Sequence, residues 1–220
     1  MKYRSVFDII GPVMVGPSSS HTAGPVRIGQ IARRLFNAQP EKVVVRLYGS
    51  FAETYKGHAS DVAVIGGILN YETDDPRIPD SLVRAQELGM DVTFVKEEAI
   101  PEHPNTLKIT MTKGDDKLDI SAISIGGGVV GITELNGFPL KLSGENPAIL
   151  IFHKDVYGTI AGVASTLAAN KINISGMNVS RIEKGDVALM TIETDQPVSP
   201  NLINAITKME NIIRIITLSE

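Results

Sequence analysis

Cysteine is absent from this 220-residue sequence, and histidine occurs only four times. Without a thiol the chain cannot form a disulfide, use a cysteine nucleophile, or bind an iron–sulfur cluster through thiolates. The histidines lie far apart, at none of the short spacings that mark a zinc site. We therefore expect this chain to form no metal site by itself, so that another molecule holds any metal it uses. The four histidines are His21, His58, His103 and His153.

A strong charge of one sign and a long hydrophobic run are also lacking. The formal net charge is only −4, which gives no basic surface for nucleic acid. The apolar run in residues 1–17 is interrupted by Asp8, Gly11 and Pro12. It matches neither the core of a signal peptide nor the roughly 20 apolar residues of a membrane span. We expect a cytoplasmic globular protein with neither nucleic-acid nor membrane partners.

The first predicted domain, residues 1–143, begins with helices and ends with strands. Pro25 suits the first position of the first helix, Ser60 or Asp61 is placed to cap the second, and Gly89 to end the third. Because the strands cluster after the helices, the pattern favours an α+β fold over a doubly wound sheet. The predicted helices are 25–36, a segment that begins near Ser60, and about 80–88; the predicted strands are 42–50, 91–97, 105–114, 117–125 and 129–135.

A short polar connector at 143–147 leads to the second predicted domain, residues 147–220. The element order there is strand, helix, strand, strand, helix, strand, which is the ferredoxin-like βαββαβ plan. In its first helix the apolar spacing predicts that Ile160 and Val163 face the core. The predicted strands are 148–154, 172–182, 186–194 and 212–218, and the predicted helices are 155–171 and 197–211.

The segment 16–25, GPSSSHTAGP, combines hydroxyl side chains and one imidazole in a loop that leads into a helix. The start of a helix offers unpaired amide donors and partial positive charge, which suit a carboxylate, and hydroxyls add further donors. An imidazole can exchange a proton near neutral pH. The alternative interpretation is an ordinary helix-capping loop, in which serine is common for structural reasons. The side chains concerned are Ser18, Ser19, Ser20, His21 and Thr22.

This motif resembles the N-terminal motif of the iron–sulfur-dependent L-serine dehydratases. Two further segments are similar to that family and follow in the same order, KGHASD at 56–61 and SIGGG at 124–128. Residues 147–220 resemble the ACT domain, a small amino-acid-binding regulatory fold. The likeness rests on element order, on the corner DVYG at 155–158 and on INI at 172–174. The whole chain resembles the separate β chain of the two-chain form.

The resemblance implies a lyase, an L-serine ammonia-lyase that yields pyruvate and ammonia in amino-acid catabolism and gluconeogenesis. It also implies a hetero-oligomer in which a cysteine-containing α chain ligates a 4Fe-4S cluster. The β chain would be inactive without that partner. A monovalent cation is a further candidate cofactor, which the sequence leaves open.

The resemblance also implies roles for individual side chains. His21 is the predicted catalytic base, and neighbouring polar side chains would bind the substrate. Two of these have plainer interpretations, because His58 could serve only to order the helix near Ser60, and an exposed Lys56 could have no specific role. The predicted substrate-binding residues are Ser18, Ser19, Ser20, Thr22, Lys56 and His58, with no metal ligand among them.

Regulatory residues are implied in both domains. His103 and Asn105 resemble an H-x-N motif that binds serine at a separate allosteric site in related dehydratases. Gly158 would let an amino acid approach the backbone, and Asn173 would join the ligand or subunit contact. Most ACT domains have Pro where this chain has Tyr157, and all these residues could merely shape loops. Because ACT domains pair through open sheet edges, self-association is also predicted.

Two other functions compete with the dehydratase. One is a non-catalytic serine-sensing module like that of 3-phosphoglycerate dehydrogenase, which also joins a substrate-sensing domain to an ACT module. The other is a stand-alone amino-acid-binding accessory protein. The GPSSSHTAGP segment favours the dehydratase, because a pure sensor would not need it.

Overall fold

The computed structural model describes residues 11–218, so Asp8 and the rest of the first ten residues lie outside it. Two compact units divide at Asn136–Gly137, ahead of the polar connector at 143–147. Both units mix helices with strands, which confirms the predicted α+β class. In the described range no helix combines the length and hydropathy that a membrane span requires.

The first unit contributes five strands to a sheet, with helices inserted mainly between the first two of these strands along the chain. A π-helical turn, Ser19–Ala23, continues directly into the first α-helix. The α-helices are α1 (Gly24–Phe36), α2 (Gly49–Thr54), α3 (Ser60–Ile68) and α4 (Ser81–Glu87), with a short 3₁₀ turn at Ile78–Asp80. The strands are β1 (Lys42–Leu47), β2 (Asp91–Lys96), β3 (Thr106–Lys113), β4 (Asp116–Gly126) and β5 (Val129–Leu135).

The strand order β2-β1-β3-β4-β5 follows from how the strands are connected. β1 and β2 are parallel, and a parallel pair needs a long crossover, which α2, α3 and α4 supply. The remaining neighbours are antiparallel, and β3 reaches β4 through a tight turn at Gly114. Alternate residues of β1 and β3 are buried, as expected for strands with one face on a core. They are Val43, Val45, Leu47, Leu107, Ile109 and Met111.

Two local predictions for this unit are wrong. The strand predicted for 42–50 ends at Leu47, because Gly49 has a left-handed φ of 50° and begins α2. Neither Ser60 nor Asp61 caps α3; the cap is Ala59, with φ 57° and no side-chain hydrogen bond. The hydroxyl of Ser60 instead donates to the carbonyl of His21. Asp61 lies in the first turn, where a carboxylate favours the helix dipole.

The second unit confirms the βαββαβ order. Its elements are β7 (Ala148–Lys154), α5 (Thr159–Ala169), β8 (Ile174–Arg181), β9 (Val187–Thr194), α6 (Pro200–Thr207) and β10 (Ile212–Leu218). These four strands form an antiparallel sheet in the order β10-β7-β9-β8. Both helices pack on a core that includes Ile151, Val163, Leu167, Met190 and Ile206.

Two features of this unit differ from the sequence analysis. An extra strand, β6 (Phe138–Leu142), precedes the fold, and its Phe138 ring lies edge-on to Phe152 with centroids 5.6 Å apart. Ile160 was predicted to face the core but is 42% exposed, whereas Val163 is fully buried. The buried stripe of α5 is therefore narrower than the apolar pattern suggests.

Helices α1 and α3 pack unusually closely, and glycine makes this possible. A Cβ added to Gly67 would overlap the carbonyl oxygen of Val26, and one added to Gly29 would overlap that of Val64. No side-chain movement relieves a clash with backbone atoms. The two helix backbones can therefore approach this closely only with glycine at both positions.

We expect Gly67→Ala to lower the free energy of unfolding. Overpacking costs about 1–3 kcal/mol, and this exceeds the gain of up to about 1 kcal/mol in helix propensity. Urea denaturation followed by circular dichroism measures the change. Gly162→Ala in α5 is the matched control, because its added methyl meets only the flexible end of Met209. Wild-type stability in Gly67→Ala would contradict the packing argument.

Candidate functional site

The GPSSSHTAGP segment forms a helical start organised by Ser18. Ser18 is extended, with φ −143°, and its side-chain oxygen accepts a hydrogen bond from the amide of His21 at 3.2 Å. Its carbonyl accepts from the amide of Thr22 at 2.8 Å. This is the geometry of a capped helix N-terminus, in which the first amides have no partner within the helix. The segment leads into a helix as predicted, but the helical structure begins at Ser19 with a π-helical turn rather than at Pro25.

Both ring nitrogens of His21 contact serine hydroxyls. Nδ1 lies 2.9 Å from the Oγ of Ser20, and Nε2 lies 2.9 Å from the Oγ of Ser50. The Oγ of Ser20 is also 3.3 Å from that of Ser18. Phe51 packs edge-on against the imidazole at a centroid distance of 4.9 Å. The ring is thus fixed in position and in orientation.

The surroundings of His21 favour its unprotonated form. Burial lowers its pKa below the ordinary value of 6.5, and the nearby charge of His58 lowers it further. At pH 7 the imidazole is therefore neutral, which is the form that acts as a general base.

His58 lies beside His21 although the two are distant in sequence. Their ring centroids are 5.0 Å apart, and the hydroxyl of Thr22 donates to the carbonyl of His58 at 3.0 Å. Nδ1 of His58 is buried and has no hydrogen-bond partner among the described residues. The KGHASD segment therefore joins the GPSSSHTAGP segment in one cluster.

Two predicted substrate-binding side chains already have protein partners. The ammonium of Lys56 lies 2.6 Å from the carboxylate of Asp61, and this hydrogen bond raises the pKa of Lys56. Asp61 is almost buried, whereas the Lys56 side chain is 66% exposed. Thr22 is fully buried, and its hydroxyl donates a hydrogen bond to the carbonyl of His58. Among the predicted hydroxyls, that of Ser20 is hydrogen-bonded to the imidazole, whereas that of Ser18 accepts from the backbone amide of His21.

The third motif, SIGGG, closes the cluster from β4. A Cβ added to Gly24 would overlap the hydroxyl of Ser124, so glycine is required where the π-helical turn meets this strand. The Ser124 hydroxyl is buried and has no hydrogen-bond partner in the described part. Its backbone pairs with Asn105, which accepts from the Ser124 amide at 3.0 Å and donates from Nδ2 to the Ser124 carbonyl at 3.2 Å.

The His103–Asn105 loop, predicted to be regulatory, forms a self-contained turn next to this cluster. The amide of Asn105 donates to Nδ1 of His103 at 3.1 Å, and the carbonyl of Pro104 accepts from the amide of Ser50 at 2.8 Å. Nδ1 of His103 and Nδ2 of Asn105 therefore already have partners, within the loop and on Ser124. A ligand that binds these two atoms would have to compete with these hydrogen bonds.

The other two predicted regulatory residues lie in the second unit. Gly158 precedes α5 with φ 89°, and nothing lies within 4 Å of an added Cβ, so the space beside its backbone is open. Asn173 is exposed, and its Nδ2 donates to the carboxylate of Asp195 at 2.6 Å. His153, interpreted from sequence as structural or interfacial, is buried with Nδ1 2.8 Å from the carbonyl of Lys154.

The sequence analysis missed two members of the cluster, Ser50 and Phe51. Ser50 was included in the strand predicted for 42–50, whereas it lies in the first turn of α2. A Gly-Ser pair directly after a strand is typical of a turn into a helix, and this signal could have identified it.

Comparison with known proteins finds a family model for each part of the chain and relatives that match nearly all of it. Residues 5–88 match the model of the serine dehydratase beta chain, and residues 148–211 match that of the ACT domain. The probable L-serine dehydratase beta chain of Bacillus subtilis is 54% identical over the full length of both chains. The L-serine dehydratase beta chain of Peptoniphilus asaccharolyticus is 37% identical over 94% of each. D-3-phosphoglycerate dehydrogenase of Synechocystis is 26% identical over 84% of this chain but only 34% of its own length.

We expect the pKa of His21, measured by ¹⁵N imidazole NMR on the full chain, to lie below 6.5. His58→Gln should raise the pKa of His21, because the effect of the His58 charge, one of the two causes of the lowering, is removed. An exposed substitution in the second unit, Lys184→Gln, should leave the pKa of His21 unchanged. The contribution of His21 to stability is then complete above about pH 6.5 and is lost as the pH falls through its lowered pKa. An unchanged His21 titration in His58→Gln would rule out this coupling.

Proposed function

We propose, from the premise that this chain belongs to the family of L-serine dehydratase β chains, that it completes the active site of a two-chain L-serine ammonia-lyase. The enzyme would convert L-serine to pyruvate and ammonia together with a cysteine-containing α chain. One observation carries the proposal: a neutral His21, held by Ser20 and Ser50 beside His58, at the start of a capped helix.

The reaction requires a base that this site can supply. Removal of the α-proton of serine and loss of its 3-hydroxyl group gives 2-aminoacrylate. This tautomerises to the imine of pyruvate, which water hydrolyses to pyruvate and ammonia. The α-carbon is only weakly acidic, so a positioned general base is needed, and such a base contributes about 10²–10⁴-fold in rate. We assign this role to His21, whose lowered pKa keeps it unprotonated at pH 7.

The substrate carboxylate fits the beginning of the helical segment. The hydroxyls of Ser18 and Ser20 lie there, and Ser19 begins the π-helical turn. The amides of His21 and Thr22 in that turn donate to Ser18, and amides at a helix start that have no partner favour an anion. We assign the carboxylate to these three serines. Thr22 supports the site by binding the carbonyl of His58 rather than the substrate.

His58 and Lys56 receive different roles in this proposal. The buried Nδ1 of His58 has no hydrogen-bond partner in the described range. We therefore assign His58 to a hydrogen bond with the substrate. Lys56 is bound to Asp61 and contributes positive charge near the site. Its exposed side chain makes it the weakest of the predicted substrate contacts.

The residues of this chain do not fit an iron–sulfur cluster, whose ligands are thiolates. The sequence has no cysteine, and the described residues contain no group of three or more potential ligands that could hold a metal ion. We therefore assign the proposed 4Fe-4S cluster to the α chain. Hydroxide is a poor leaving group, so its loss from serine requires a Lewis acid. That Lewis acid would belong to the α chain.

Regulation and assembly form the second part of the proposal. We infer that serine binds as an effector at His103 and Asn105, and that Gly158 and Asn173 contribute to ligand or subunit contacts of the ACT domain. The open space beside Gly158 supports the latter. β8 and β10 are the edges of their sheet, and Met177, Val179 and Ile213 on them are exposed, which supports self-association.

The cellular role follows from the same proposal. We place the enzyme in the cytoplasm, in serine catabolism that feeds gluconeogenesis, and we retain a monovalent cation as a candidate cofactor. The rival serine-sensing module is less well supported. The dehydrogenase relative is matched over only a third of its length, whereas two L-serine dehydratase β chains match from end to end or nearly so.

We expect His21→Ala to lower kcat of the assembled enzyme by about 10²–10⁴-fold, because the base is removed. Iron and sulfide content should stay at the wild-type level, since the cluster is held elsewhere. Pyruvate release from L-serine by the purified two-chain complex gives the rate. Glu183→Ala, an exposed turn variant of the second unit, is the control for expression and assembly. Near-normal turnover in His21→Ala would remove His21 from the mechanism.

A further inference from the structure

Ser50 occupies a distinctive place in the cluster, because its hydroxyl contacts the catalytic imidazole while its backbone contacts another loop. The Oγ of Ser50 lies 2.9 Å from Nε2 of His21. Its amide donates to the carbonyl of Pro104 at 2.8 Å, and its carbonyl accepts from the hydroxyl of Thr54 at 2.7 Å. The amide and the carbonyl of Ser50 are therefore both hydrogen-bonded elsewhere, and its hydroxyl bonds to His21.

The His103–Asn105 loop sets the position of Ser50. Tyr48 donates from its amide to the carbonyl of Thr106 at 3.1 Å, so the chain on both sides of Gly49 is bound to the segment 104–106. Gly49 itself has φ 50°, and a Cβ there would lie 2.6 Å from the Pro104 oxygen. This close approach requires glycine. A displacement of the loop would therefore move Ser50 relative to His21.

The hydrogen bonds around His21 allow an assignment in which each proton has an acceptor. Ser20 has a second partner, the Oγ of Ser18 at 3.3 Å, to which it can donate. The Oγ of Ser20 can then accept from Nδ1–H of His21, and the lone pair of Nε2 is left to accept from the hydroxyl of Ser50. In this arrangement Ser50 selects the Nδ1–H tautomer and directs the basic nitrogen.

We propose that Ser50 is a positioning residue for His21: its hydroxyl fixes the ring and its tautomer from the Nε2 side, and the His103–Asn105 loop holds Ser50 in place. This inference deepens the proposed function and rests on it for its kinetic consequences. When substrate binds, the hydrogen bond from the Ser50 hydroxyl to Nε2 of His21 breaks, and Nε2 accepts the α-proton. Until then this hydrogen bond holds the unprotonated Nε2 in place.

The direct test uses ¹⁵N imidazole NMR on the full chain, without a partner or substrate. Wild-type His21 should show the Nδ1–H tautomer, and Ser50→Ala should shift the population towards the Nε2–H form. Ser50→Thr, which keeps the hydroxyl, should retain the wild-type pattern. A wild-type tautomer population in Ser50→Ala would overturn the inference and leave the dehydratase proposal untouched.

Kinetics of the assembled enzyme supply the second test. Ser50→Ala should lower kcat by about three- to tenfold, the effect of one hydrogen bond, with KM nearly unchanged, and Ser50→Thr should restore most of the rate. In a His21→Ala background the Ser50→Ala change should have no further effect, because Ser50 acts only through His21. Additive losses would show a merely structural role. Absence of serine turnover in the wild-type complex would refute the proposed function, while the NMR result would still decide the tautomer.

Discussion

The backbone contact between α1 and α3 determines where the imidazoles of the site meet. α1 continues the turn that carries His21, and α3 begins two residues after His58. Glycine at positions 29 and 67 allows the two helices to pack without intervening side chains. Hydrogen bonds from Ser60 to His21 and from Thr22 to His58 then join the two helix starts. The geometry of this histidine and serine cluster is thus a consequence of helix packing rather than of the loop alone.

The chemistry of the cluster explains why such a chain would need a partner. Hydroxyls and helix amides suit a carboxylate, and a neutral imidazole suits a proton. The carboxylate of the KGHASD segment, that of Asp61, is bound to Lys56. No thiolate exists anywhere in the sequence. In the proposed enzyme, binding and proton transfer are therefore the contributions of this chain, and the iron–sulfur chemistry requires another.

Local sequence patterns predicted several strands with their bounds. The strands at 129–135, 148–154 and 212–218 have the predicted bounds. Features that depend on long-range contacts were not predictable. The strand at 42–50 stops early because Gly49 meets Pro104, and β6 exists because its Phe138 packs on Phe152. Helical spacing likewise located the buried stripe of α5 but could not give its width.

The same distinction applies to the site. The motifs located His21, His58 and their serines from sequence, because each lies in a recognisable segment. Ser50 was missed, since its role depends on a hydrogen bond to a residue 29 positions away. Thr22 was predicted to bind substrate. The sequence could not show that its hydroxyl is buried and donates to the carbonyl of His58.

A structure of the two-chain complex with L-serine bound tests the central claim most directly. The account predicts an imidazole nitrogen of His21 at about 3–3.5 Å from the serine α-carbon, the separation of reacting atoms. The substrate carboxylate should lie on Ser18, Ser19 and Ser20, opposite the cluster held by the α chain. Serine bound entirely within the α chain, with the His21 turn remote from it, would contradict the account.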